Sequence, residues 1–200
     1  MYKRQGLTRA AIGESVTTIK SDAFSGCTAL QSIVIPSGVD SIEMAVFTGC
    51  TNLQSVRLEE GATVIGEYMF LECTSLSNVE LPSTLTTIGN SAFKRCALET
   101  VSLPASVDSI GEYAFQDCTA LKSVELPAGL KCLSRYVFNG CTSLGSIVLP
   151  DGLETIGYSA FSNCTAMTSI TMGDKIKSVG DGAFVNCEAL ADVCYKGSLS

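Results

Sequence analysis

All eight phenylalanines of this 200-residue chain fall in one file: Phe24, Phe47, Phe70, Phe93, Phe115, Phe138, Phe161 and Phe184. Every step is 23 residues except the fourth, which is 22. Eight of the ten cysteines follow three residues behind: Cys27, Cys50, Cys73, Cys96, Cys118, Cys141, Cys164 and Cys187. The unit reads L-x-x-V-x-L-P-x-x-L-x-x-I-G-x-x-A-F-x-x-C-T-x. A fixed period of this length is the signature of a solenoid, in which each unit is one coil and the coils stack. One coil cannot cover its own apolar side chains, so the fold depends on its neighbours.

Within the unit, L-x-x-V-x-L alternates and carries β-branched residues, which predicts one strand per coil and a parallel sheet. Pro36, Pro82, Pro104, Pro127 and Pro150 follow it and cannot donate to a ladder, so pairing ends there. The I-G pairs (Ile65-Gly66, Ile88-Gly89, Ile110-Gly111 and Ile156-Gly157) predict a shorter strand or turn on the opposite wall, with glycine permitting positive φ. The A-F-x-x-C segment predicts one helical turn, placing Phe and Cys on the same inward face. One residue is missing between Cys96 and Leu98, which should tighten that turn. Glu59 and Gly173 replace the proline, and Glu43 and Ser134 the glycine. Residues 10–195 thus read as about eight stacked coils, a repeat solenoid of mixed α/β to mostly β character. Residues 1–9 read as an irregular segment foreign to the pattern, although Leu7, Ala10 and Ile12 resemble a degraded strand. Residues 196–200 read as a tail, and the array as a piece of a longer one.

Composition narrows the function. Lys and Arg number 13 against 20 Asp and Glu, a net charge of −7, which disfavours nucleic-acid and anionic-membrane surfaces. No apolar run approaches the roughly 20 residues of a membrane span, and the opening M-Y-K-R-Q-G-L-T lacks the apolar stretch of a signal peptide. There is no histidine, so the commonest general base and metal ligand is missing.

The unit L-x-x-V-x-L-P-x-x-L-x-x-I-G-x-x-A-F-x-x-C, recurring eight times over about 10–195, resembles the BspA-like (Treponema-type) leucine-rich repeat. It differs from ordinary leucine-rich repeats, which carry Asn or Cys soon after the strand where this chain has Pro. The resemblance implies a right-handed superhelix with one parallel strand per 23-residue coil. It also implies a surface-exposed or secreted protein that acts as an adhesin toward host matrix proteins or other cells.

The cysteine ladder admits four readings. Stacked Cα atoms would lie about 4.8 Å apart, within bridging distance, but with parallel Cβ vectors that do not suit a disulfide. No C-x-x-C pair supports zinc, and a catalytic thiol has no histidine to activate it. The ladder therefore reads as packing beside phenylalanine. Cys132 and Cys194 lie off the ladder and read as chance substitutions at variable slots.

Candidate partner-facing residues lie in the variable strand columns: Gln31, Gln54, Glu99 and Lys122 in the first, Val34, Arg57, Glu80, Glu125 and Val148 in the second. Tyr113 and Tyr136, two residues before Phe in consecutive coils, form a second candidate patch. Tyr lying against its own coil is the plainer alternative. Glu80 and Glu125 share a column two coils apart, too far along a wall without a pocket to suggest glycosidase chemistry. We expect a non-enzymatic binding module for a protein or glycan, with no cofactor, no metal, no nucleic acid and no membrane insertion. Uncapped end coils would invite end-to-end self-association. A structural spacer is the alternative.

Overall fold

A computed structural model of the chain describes residues 6–196. The expectations for residues 1–5 and 197–200 lie outside them. The chain is a parallel β-solenoid with three walls. The main wall holds the strands Ser32–Ile35, Ser55–Leu58, Asn78–Glu80, Thr100–Ser102, Ser123–Glu125, Ser146–Val148, Ser169–Met172 and Asp192–Tyr195. Strands pair parallel and in register within three groups, as Ser32 with Ser55 and Ser55 with Asn78, with breaks after Glu80 and after Glu125. Arg9 bridges Ser32, and Leu7, Ala10 and Ile12 pack against the core. The second wall holds two-residue strands at the I-G positions, such as Thr87–Ile88 paired with Ser109–Ile110. The third wall carries the phenylalanines.

Their rings form one continuous stack, with centroids 5.3 to 5.6 Å apart and planes within 16° of parallel. The six from Phe47 to Phe161 are fully buried, with ladder cysteines beside them. Phe24 and Phe184 are partly buried at the two ends of the file.

No helix occurs among the described residues, which corrects the helical turn expected at A-F-x-x-C. The backbone instead alternates between right- and left-handed conformations there. In every coil the residues two before and two after Phe have positive φ, among them Tyr113 (φ 60) and Asp117 (φ 57) around Phe115. A helix would direct each N–H back along its own chain. The alternation turns every second N–H outward to the next coil. Thus Tyr113, Phe115 and Asp117 donate to the carbonyls of Arg135, Val137 and Asn139 at 3.1, 2.9 and 2.8 Å. Non-glycine residues in this conformation cost about 1–2 kcal/mol each, offset by three intercoil bonds per step. Glycine or asparagine at Phe+2 (Gly26, Gly49, Gly140, Asn163 and Asn186) is the sequence signal of it.

The glycines of the second wall have a different cause from the one expected. Gly89, Gly111, Gly157 and Gly180 do not have positive φ. A Cβ at Gly111 would fall 2.5 Å from the Asn90 nitrogen and 2.6 Å from the Gly89 carbonyl carbon. Close approach of the preceding coil leaves no room for a side chain at these four positions. Ser134 stands at the equivalent position of its own coil, and its hydroxyl donates to the Ile110 carbonyl, where Gly89, Gly111, Gly157 and Gly180 use the backbone N–H.

Candidate functional site

The ladder thiols answer the chemical question that their spacing raises. Cys50 Sγ donates to the Phe24 carbonyl at 3.1 Å, and Cys73, Cys96, Cys118, Cys141, Cys164 and Cys187 repeat the contact one coil on at 3.1 to 3.2 Å. Each of those carbonyls already accepts the backbone N–H of the ladder cysteine in its own coil, as Phe24 does from Cys27 at 3.0 Å, so the thiol of the next coil adds a second donor to a carbonyl with two lone pairs. Cysteine supplies a compact apolar body with a weak donor, so the packing reading gains a hydrogen bond. Burial pushes the Cys50 thiol up to about 11 and those of Cys118 and Cys164 up to about 12. These sulfurs are structural and remain protonated at neutral pH. Cys132 and Cys194 are exposed, the former on the second wall and the latter on the final strand of the main wall.

The main wall presents the variable columns to solvent. Gln31, Gln54, Arg57, Glu80, Glu99, Lys122, Glu125, Val34 and Val148 are all exposed. The charged members lie beside each other along the stack and pair. Arg57 reaches Glu80 at 3.6 Å and Glu59 at 3.9 Å, and Lys122 meets Glu99 at 2.7 Å. The Lys122 hydrogen bond holds the Glu99 carboxyl below the usual range. Ser102 donates to Glu125 at 3.0 Å. Glu80 and Glu125 therefore have different partners and do not act as a pair.

From the sixth coil onward the character changes. Gly145, Thr168 and Ala191 occupy the first column and Val148, Thr171 and Cys194 the second, all uncharged. Val148 is 59% exposed. Beside Val148 runs a groove of about 480 Å³ lined by Val124, Leu126, Ala128 and Pro150, with the Lys196–Asp151 ion pair at its rim. The signal was readable in the columns, but only a comparison of charge between coils brings it out.

The tyrosines gather on the third wall. Tyr113 and Tyr136 stack at 4.8 Å with planes 10° apart, and Tyr158 meets Tyr136 edge-on at 5.2 Å. Lys94 lies 5.6 Å over the free face of Tyr113, and Arg135 forms a two-pronged pair with Glu112 at 2.9 and 3.0 Å. Partial burial, with a hydrogen bond to Tyr158, raises the Tyr136 hydroxyl pKa above its ordinary value. The rings thus cover one another across coils and leave mainly their edges to solvent.

No cluster of three metal-ligating side chains and no helix long and apolar enough to cross a membrane occur among the described residues. The sequence matches the family model described as BspA type Leucine rich repeat region over residues 1–122 and 108–200. It is similar in structure to a leucine-rich repeat protein from Bacteroides ovatus, with 29% identity and a TM-score of 0.71 over 90% of this chain and 59% of that one. It is also similar to the leucine rich repeat protein of T. pallidum, with 33% identity and a TM-score of 0.65 over 76% of this chain and 72% of that one. The chain therefore spans little more than half the length of the Bacteroides protein. No curated protein matches the sequence.

Proposed function

Because this chain belongs to the BspA-type leucine-rich repeat family, we propose that it is a non-enzymatic binding array working outside the cell, with a protein partner docking on the main wall of coils six to eight. The observation that carries this reading is the contrast along that wall. Charges in the second to fifth coils pair with each other, whereas the stripe from Gly145 to Cys194 is small, uncharged and centred on exposed Val148. Exposed apolar patches rimmed by polar residues favour protein contacts, and desolvating an uncharged surface costs little. The axial ion pairs on every wall support the second reading, a stiff spacer that projects another domain.

Binding of the purified chain to a panel of immobilised extracellular matrix proteins separates the two. A partner-binding wall predicts saturable binding that falls at least tenfold in Val148→Asp and is unchanged in Glu99→Gln. A chain that binds no member of the panel, or a Val148→Asp variant that binds as well as the parent, overturns docking at this stripe.

A further inference from the structure

The main wall is not one sheet. Its pairing is interrupted between Asn78–Glu80 and Thr100–Ser102, and again between Ser123–Glu125 and Ser146–Val148. The first interruption coincides with the missing residue. In every other coil the Leu or Met three residues after the ladder cysteine donates back to its carbonyl, as Leu76 to Cys73 and Leu121 to Cys118, both within 3.0 Å. Leu98, only two residues behind Cys96, makes no such bond. The intercoil bonds of Gln54 to Gln31, Ser77 to Gln54 and Lys122 to Glu99 have no counterpart from Glu99 to Ser77. Val79, Leu81 and Val101 are half-exposed where their equivalents Val56, Leu58 and Val124 are buried. A cavity of about 40 Å³ opens between Val79, Leu81, Leu98, Val101 and the Phe93 and Phe115 rings. The other two walls cross the same step unbroken: Phe93 donates to Ala114 at 2.8 Å, and Thr87 pairs with Ser109.

We propose that this step is a built-in hinge, at which the main wall opens while the phenylalanine and second walls stay closed. The single-residue deletion shortens the turn that should carry the strand up to its neighbour. The slack appears as lost ladder bonds on one wall only. The array then divides at this joint, and the orientation of the Arg57–Glu80 pair varies relative to the block that carries the Lys122–Glu99 pair and the uncharged stripe. The second interruption keeps one intercoil bond, Gly145 to Lys122 at 3.3 Å, and its coil has the full 23 residues.

Residue-resolved amide hydrogen exchange on the intact chain tests the hinge. The Glu99 amide is expected to exchange at least tenfold faster than those of Gln54 and Lys122 in the same column, while Phe93 remains protected. Insertion of Thr between Cys96 and Ala97, which restores the Cys-Thr-Ala-Leu of residues 118–121, is expected to slow Glu99 at least tenfold. Equal protection of Glu99, Gln54 and Lys122 in the parent chain overturns the proposal without any variant. So does exchange of Phe93 as fast as Glu99, which would mean that the whole coil unfolds. A folded insertion variant with unchanged exchange at Glu99 also overturns it.

Discussion

Replacing Gly111 by alanine separates two accounts of the conserved-looking I-G step within this chain. At a backbone position with ordinary φ, Gly→Ala normally stabilises by about 0.4–1 kcal/mol, because it restricts the unfolded chain. Here the new methyl would lie 2.5 Å from the Asn90 nitrogen and 2.6 Å from the Gly89 carbonyl carbon. Ordinary contact begins near 3.4 Å, so the coils must part by about 0.9 Å. The bond from Gly111 N–H to the Ile88 carbonyl, 2.7 Å long, would then exceed hydrogen-bonding range. Losing one or two ladder bonds at about 0.5–1.5 kcal/mol each, together with overpacking strain of about 1–3 kcal/mol, gives a destabilisation of about 2–5 kcal/mol. For an array of this size that is a fall in melting temperature of about 5–15 °C. The assay is thermal unfolding followed by circular dichroism, with Gly145→Ala as control. A Cβ at Gly145 meets nothing within 4 Å, so that variant should melt at or slightly above the parent temperature. If Gly111→Ala melts with the parent, the glycine column is not set by coil approach, and the reasoning fails.

Thiol titration at pH 8 should label Cys132 and Cys194 rapidly and the interior ladder only on unfolding, since burial raises the interior thiol pKa values and their hydrogens are directed at carbonyls. Fast modification of Cys118 or Cys141 in the folded chain, located by mass spectrometry, would contradict this. Glu43 is held down to about 2 by hydrogen bonds from Lys20 and from the Ser21 backbone and hydroxyl, against an ordinary value of 4.5. A depressed carboxyl contributes stability above its unfolded pKa and loses it as pH falls toward the folded one. Melting temperature should therefore drop between about pH 4.5 and pH 2, and Glu43→Gln should flatten part of that limb. An identical acid limb in the variant would remove Glu43 from the account.

The phenylalanine file, the strand and the I-G wall could be read directly, because a period of 23 leaves stacking as the only way to bury those side chains. The conformation around Phe could not. A spacing of three between Phe and Cys fits a helical turn as well as a chain alternating in handedness. Only the side chains that tolerate positive φ at Phe+2, such as Gly26 and Asn163, distinguish the two. The glycine column was readable as a requirement, but its cause is a backbone 2.5 Å away in the preceding coil, a distance no local pattern encodes. Of the candidate surface, exposure of the columns followed from strand alternation. The pairing of Arg57 with Glu80 and of Lys122 with Glu99 depends on side-chain reach between coils. The deletion after Cys96 pointed to a tightened turn, whereas its larger effect is on the neighbouring strand ladder.

The third wall bonds in one direction. Each coil sends three N–H groups forward and offers three carbonyls backward, so its leading face fits the trailing face of any other coil. A gene encoding such a chain can gain or lose a coil by unequal crossing-over without orphaning a donor, provided that the change is a whole unit. The number of coils is thus free to drift, while the reading direction of the stack is fixed.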